Sequence, residues 1–466
     1  MKISKIAFAS LCTLSLMITT SCNEDDNDEP PTPNNGNEQT TPSDYTLQNE
    51  EALKSASIAT KAAIENDYDM WQSVYSDEFA DFARKVTAFS NKMAIAIGAK
   101  QDENTAVSPI SIFMALSMAT ECADGDTRQE LLDAMGITYD ELNANIRPLC
   151  YVCNQVLCSS ESASNKDCNL IKCVNSLWLQ DGLNVKDNGI NALTTKYYAD
   201  LFKMDFENSD VNELITSYIS NETNGFLRPD LQITPEVVMI LMNVVYLRES
   251  WKDFGEELEF TNNKYNFTSY DNTTKSIKLL QGCYYEKGKV VETEKFRKFY
   301  TTTNSGLTLT FFVPKDGYTL DDIYTTDVLN DNTPYVYTDE DSNPNVKYRF
   351  HTRCLFPEYK AEYDNNIADV ISQLGVQKFF SSSQCDFSHL TDDNVFCGII
   401  RHIAKLEVTS KGIEGAAVTA EMMCGDNIDE EVWEDVLEDF VVDRNFAYIL
   451  SKDDVPIFTG AVKTVE

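Results

Sequence analysis

Histidine is almost absent from this chain: His351, His389 and His402 are the only three in 466 residues. So few imidazoles leave little room for Cys–His nucleophilic chemistry or for histidine-built metal centres. Basic residues are also scarce, with 38 Lys and Arg against 75 Asp and Glu, for a formal net charge of −37. Such a surface repels nucleic acid and anionic membrane, and suits either basic partners or plain solvation. No Gly-x-Ser-x-Gly nucleophile elbow and no glycine-rich phosphate loop occurs. No repeat of fixed period runs through the chain, which argues against a solenoid or a propeller. These absences give an enzyme reading little support and imply no cofactor. What is present, 42% hydrophobic and 11% aromatic residues, suffices for a large core. The aromatics form no stripe apart from candidate core positions, so a glycan-binding surface has little support either.

The first residues read as a targeting segment. Lys2 and Lys5 precede a mostly apolar run over residues 6–20, which is short and ends among small residues, unlike a retained membrane span. Leu16-Met17-Ile18-Thr19-Thr20-Ser21-Cys22 resembles a bacterial lipoprotein processing site. The expectation is a lipoprotein signal peptide over residues 1–21, lipid on Cys22, and an outer-membrane lipoprotein facing the cell surface or the periplasm. Residues 22–45 are rich in Asn, Asp, Glu, Pro and Thr and lack an apolar period, as a disordered acidic tether does. Glu24-Asp25-Asp26 resembles the export signals of some surface lipoproteins. Contact with the membrane is then through the lipid anchor only. Of thirteen cysteines, Cys12 leaves with the signal and Cys22 carries lipid, so an odd number remains and complete pairing is impossible. Cys150, Cys153, Cys158, Cys168 and Cys173 cluster without a nearby histidine, so buried or free thiols are expected there in preference to one or two disulfides or a metal site.

The body, residues 46–466, shows no internal linker and reads as one domain. Phe82, Val86, Phe89, Met93 and Ile97 recur at steps of four and three, one face of a helix. Residues 112–120 form an apolar helical run. Asp126-Thr127 looks like the cap of a helix that Gly136 stops, and residues 366–374 look helical before Gly375. Residues 173–180, 238–247 and 307–313 read as strands. Helices crowd the first third and strands the last two thirds, a pattern of α+β and not of alternating α/β.

The most informative stretch is Lys411-Gly412-Ile413-Glu414-Gly415-Ala416-Ala417-Val418-Thr419-Ala420, small residues that do not read as a turn. It lies between a strand-like run at 403–409 and an acidic segment at 426–439, after which strand patterns return. A segment of small residues tethered between strands can be exposed in one state and enter a crowded sheet in another. It resembles the reactive-loop hinge of the serpins, Glu-Gly-Thr-Glu-Ala-Ala-Ala-Ala-Thr. Further segments resemble the same family in the same order. Asn104-Thr105-Ala106-Val107-Ser108-Pro109-Ile110-Ser111-Ile112 is similar to its Asn-Val-Phe-Phe-Ser-Pro-Leu-Ser-Ile. Met242-Asn243-Val244-Val245-Tyr246-Leu247-Arg248-Glu249-Ser250-Trp251 is similar to Val-Asn-Ala-Ile-Tyr-Phe-Lys-Gly-Lys-Trp. Thr223-Asn224-Gly225, Phe356-Pro357-Glu358-Tyr359-Lys360, Cys385-Asp386-Phe387-Ser388, His402-Ile403-Ala404, Asp443-Arg444-Asn445-Phe446 and Phe458-Thr459-Gly460 complete the set.

The resemblance implies a serpin fold: three β-sheets surrounded by helices, with an exposed reactive-centre loop. It places Ser108, Ser111, Asn243 and His402 in a polar shutter beneath the opening point of the main sheet, and Trp251 at the breach where loop entry begins. It makes Gly412, Ile413, Glu414, Gly415, Ala416, Ala417, Val418 and Thr419 the hinge. Because a strand alternates its faces, Ile413, Gly415, Ala417 and Thr419 share one face, expected to be buried on insertion, and Glu414 faces solvent. By the family's spacing the reactive bond is Asp426–Asn427, with Met422, Met423 and Cys424 as competitors should the longer connection to Phe446 shift the register. The implied function is a monomeric suicide-substrate inhibitor whose partner is a serine or cysteine protease. The alternative is a non-inhibitory member of the fold serving as a binding scaffold. Two departures bear on the choice: Ile413 stands where the family has Thr or Ser, and Ser410 where Glu is usual.

Overall fold

The computed structural model describes residues 6–11 and 50–466, apart from 60, 63, 65–67, 99–102, 158–168, 235, 252–256, 283–287, 304, 337, 340–346 and 414–432. The anticipated helical face is helix α1 (Asp77–Gly98), which buries Phe82, Val86, Phe89, Met93 and Ile97. Helix α2 (Pro109–Cys122) starts on a proline, whose missing N–H costs nothing at that position, and is buried on all sides. Helix α3 (Gly125–Met135) ends on Gly136, whose φ of +72° closes the last turn. Its cap is Asp124, not Asp126: the Asp124 carboxylate accepts from the Gly125 N–H, while Asp126 reaches out to an ion pair with Lys378. Helix α4 (Tyr139–Val152) opens with a reciprocal Thr138–Glu141 capping box. Helix α5 (Val211–Glu222) follows, and then the short α6 (Ala368–Gln373). The last of these starts later than its pattern suggested, because Asn366 still belongs to a strand.

Fourteen strands carry the rest of the description: β1 (Ile6–Leu11), β2 (Thr105–Val107), β3 (Asn169–Gln180), β4 (Asp200–Met204), β5 (Val237–Ser250), β6 (Phe296–Thr302), β7 (Thr308–Pro314), β8 (Lys347–Phe356), β9 (Tyr359–Asn366), β10 (Val395–Val408), β11 (Gly412–Ile413), β12 (Trp433–Val441), β13 (Phe446–Lys452) and β14 (Val455–Val462). The main sheet runs β9, β10, then β1 and β11 end to end, then β5, β3 and β4. A second sheet runs β6, β7, β13, β14 and β2. In a third, β12 lies parallel to β8 from Lys347↔Trp433 to Leu355↔Val441. Residues 414–432 therefore connect the top of the main sheet to the third sheet.

Two layers of apolar side chains hold the main sheet. On one face Leu214, Ile215 and Ile219 of α5 pack on Ile240, Met242 and Val244 of β5. The other face meets α2 and the second sheet in one continuous core that includes Phe113, Leu247, Phe311, Leu406 and Ile413. Sheet faces sealed on both sides read as continuous apolar runs, which is why β5 is apolar from Val237 to Leu247 with a single polar break at Asn243. Among the described residues no helix is long and apolar enough to cross a membrane. The strand β1 falls inside the segment expected to leave as a signal; a chain that begins at Cys22 lacks it.

Candidate functional site

Strands β5 and β10 run parallel but are not paired with each other among the described residues. Instead both pair with the same two inserts. At one end β1 bridges Val237–Leu241 to Val395–Arg401. At the other, β11 pairs antiparallel with both: Gly412 faces Ser250, and Ile413 faces Glu249 on one side and Val408 on the other. A strand paired on both sides holds its neighbours about 9–10 Å apart, two inter-strand spacings. Between the inserts, residues 243–248 and 402–407 face each other with no strand between them among the described residues. A cavity of about 20 Å³ lies there, lined by Ser108, Ser111, Asn243, Leu247, Ala404 and Leu406 among others. That is room for about one water.

The polar side chains in this slot come from four elements, the start of α2, β3, β5 and β10. The Ser108 N–H, at the start of α2, donates to His402 Nε2 at 3.0 Å, and Ser108 Oγ donates to the Ile457 carbonyl at 2.9 Å. Ser111 Oγ donates to the Asn243 carbonyl at 3.2 Å. Asn243 Nδ2 donates to Asn175 Oδ1 at 2.8 Å and lies 3.0 Å from Cys173 Sγ. Asn175 in turn donates to the Tyr197 carbonyl. Ser108, Ser111, Asn243 and His402 are thus brought together and are all buried. Complete burial pushes the His402 pKa down to about 3, so the ring is neutral. With Nε2 accepting, the proton is assigned to Nδ1. Two atoms in this cluster have no hydrogen-bond partner among the described residues: His402 Nδ1 and Asn243 Oδ1.

The mouth of the slot is built around the hinge. Trp251 is buried, packs edge-on against Phe356 at 5.4 Å, and donates from Nε1 to the Thr409 carbonyl at 2.7 Å. The turn before β11 is held from outside: Ser410 N–H donates to Glu358 and Ser410 Oγ to Glu257. A Cβ on residue 412 would collide with the Glu249 carbonyl oxygen, so the close approach of β11 to β5 requires Gly412. Ile413 is fully buried. The bulky residue at this position sits within the apolar core, packed among Val408, Leu247 and Leu406 in the same cluster.

Glu414, Gly415, Ala416, Ala417, Val418, Thr419, the pair Asp426 and Asn427, and Cys22 lie outside the described residues. The register of β11 at Gly412 and Ile413 is set on both sides. A strand that continued it would step forward one residue for each step back on both neighbours, which would put position 417 opposite Val245 and Ala404, and position 419 opposite Asn243 and His402. One expectation changes. The row that Glu414 would join is not open to water on the β5 side, where Tyr246 and Arg248 are buried beside α5 and Phe226. Two residues at the site were not singled out from sequence, Asn175 and Glu249, and Cys173 was named there only as one of a cluster of cysteines. Among the described residues no cluster of His, Cys, Asp or Glu is suited to a metal. Cys122, Cys150, Cys153, Cys173, Cys354, Cys385 and Cys397 are free thiols.

Comparison with known proteins agrees with this geometry. The chain is 24% identical over 311 residues to Serpin B7 of Homo sapiens, covering 65% of this chain and 77% of that protein. It is 22% identical over 429 residues to an uncharacterized serpin-like protein of Methanosarcina acetivorans, covering 89% of this chain and 94% of the relative. Among solved structures, Serpin48 of the insect Tenebrio molitor superposes with a TM-score of 0.66 at 16% identity, over 84% of this chain and all of that one. The family model described as serpin (serine protease inhibitor) matches residues 84–464. With a main sheet parted around Gly412 and Ile413 and a family-model match across most of its length, the chain belongs to the serpin family.

Proposed function

We propose that this protein is a suicide-substrate inhibitor that traps a serine or cysteine protease. The protease nucleophile attacks the scissile carbonyl in residues 414–432, the peptide bond breaks, and the upstream part of the loop stays acylated to the enzyme. That part then enters the main sheet as a new strand and carries the protease with it before deacylation. The observation that carries this reading is the fit between slot and hinge. Gly412 and Ile413 are already seated between β5 and β10. The open stretch beyond them, 243–248 on one side and 402–407 on the other, is matched in register by residues 414–419. Small side chains in that stretch suit a slot whose cavity admits only about one water.

The register adds a polar match. Thr419 would arrive opposite the two atoms that lack partners. A threonine hydroxyl can accept from His402 Nδ1–H and donate to Asn243 Oδ1. The reactive bond in this reading is Asp426–Asn427, with Met422, Met423 and Cys424 as the competing positions. Cys22 carries the lipid that holds the protein, as a monomer on its tether, at an outer membrane. The test is incubation with a panel of serine and cysteine proteases, followed by denaturing electrophoresis and mass spectrometry. A covalent complex at the summed mass, with cleavage between residues 422 and 427, is the expected result. Cleavage without a stable complex across the whole panel would favour the non-inhibitory scaffold.

A further inference from the structure

The residue directly opposite Ile413 on β5 is Glu249, a carboxylate where the family pattern has glycine, and it is 1% exposed. Its side chain points to the inner face, where the hairpin between β6 and β7 meets it. Ser305 Oγ donates to Glu249 Oε2, and Thr303 hydrogen-bonds the same carboxyl. From the hairpin between β13 and β14, the Lys452 ammonium acts on it and also donates to the Ser305 carbonyl at 3.2 Å. From the hinge and from β10 the facing residues are the apolar Ile413 and Val408. The carboxylates Glu257 and Glu358 hold the hinge turn from outside the slot, through Ser410. Seating the hinge therefore helps to close an acid away from water. We propose that Glu249 is a positioning residue for the reactive-loop hinge, whose ionisation favours withdrawal of Gly412 and Ile413 from the slot and whose neutral form holds them in. This rests on the inhibitor reading only for its consequence; the coupling itself belongs to the free protein.

Burial pushes the Glu249 pKa up to about 7, against the opposing pull of Ser305, Thr303 and Lys452. With the hinge withdrawn, water reaches the carboxyl and its pKa returns toward the ordinary 4.5. Opening then releases a proton between those two values, so the open population rises with pH from about 5 to about 7 and levels off above. The limiting slope is about tenfold per pH unit. The test is amide hydrogen exchange in the peptide carrying Thr409 to Ile413, on the free protein, corrected for intrinsic exchange, from pH 5 to 8.5. Wild type is expected to lose hinge protection up to pH 7 and then plateau. Glu249→Gln should be flat across the range, with β6 and β7 peptides unchanged as evidence of folding. Ser305→Ala removes a donor to the ionised form, so its plateau should move to higher pH. A flat wild-type profile, or an unchanged slope in Glu249→Gln, would overturn the proposal. No protease enters this experiment, so a pH-coupled hinge in a protein that traps nothing would sink the inhibitor reading and leave the Glu249 coupling intact.

Discussion

On the proposed trapping mechanism, a glutamate at Ala417 should turn the protein from an inhibitor into a substrate. On insertion, the register of Gly412 and Ile413 carried forward would bring residue 417 between Val245 and Ala404, on the face shared with Leu247 and Leu406. Leu406 and Ala404 are buried. The cavity at this level holds about 20 Å³, so a carboxylate cannot bring its hydration shell with it. On the same face the nearest polar groups are those of the shutter, and among them His402 is held neutral by burial. The effective penalty for an unpaired buried ion is several kcal/mol. At about 1.4 kcal/mol per tenfold in rate, even ~3 kcal/mol of it felt in the insertion step slows insertion more than a hundredfold. Deacylation then wins, and the number of inhibitor molecules consumed per protease trapped rises accordingly. Glutamate at Ala416 is the matched control: that position falls opposite Tyr246 and Lys405, in a row that also holds Arg248 and Glu407. Lys405 offers an opposite charge, so the effect should be much smaller. The measurement is stoichiometry of inhibition for wild type, Ala417→Glu and Ala416→Glu against one protease. Equal stoichiometry for wild type and Ala417→Glu would refute the register; a larger effect at 416 would show that it is shifted by one.

Cleavage between residues 422 and 427 should raise the melting midpoint, because residues 414–419 gain ladder hydrogen bonds to both β5 and β10, on the order of 1 kcal/mol each; a midpoint that stays or falls counts against insertion. Thr419→Val should leave the uncut protein unchanged and destabilise the cleaved form by about 1–3 kcal/mol, the cost of leaving His402 Nδ1 and Asn243 Oδ1 unpaired, as read by comparing the two melts. His402, with its pKa lowered from 6.5 to about 3, binds fewer protons folded than unfolded. Stability from it is complete above pH 6.5 and lost as pH falls toward 3, by up to ~4–5 kcal/mol, so denaturant titrations of His402→Gln should show a flatter acid limb than wild type. Cys22→Ser should move the protein from the membrane pellet to the soluble fraction; retention in the pellet would remove the lipid anchor from the picture.

The parts of this molecule that were legible in sequence are those whose physics is local. The α1 face follows from a spacing of three and four residues, and Gly136 marks a helix end because the position needs a left-handed backbone. Where two local readings competed, the longer contact decided. Asp124 and Asp126 are both plausible caps, and Asp126 lost the role to its partner Lys378 from a distant loop. Asn366 looked helical, yet the period-two burial of Tyr359, Ala361 and Tyr363 carries its strand on, paired with Arg401. That Ser108, Ser111, Asn243 and His402 would cluster could be expected from their motifs, but not the two atoms among them without a partner among the described residues, which depend on which hydrogen bonds the surrounding elements have already used. Glu249 is the sharpest instance. In sequence it is one acid among 75, at the end of an apolar run. Only the packing of β5 against the second sheet turns it inward, and only the seating of Ile413 beside it links its charge to the hinge. A buried carboxylate opposite the first inserted residue is costly unless the hinge can leave. If the hinge moves as the proposed mechanism requires, that cost ties loop position to proton uptake.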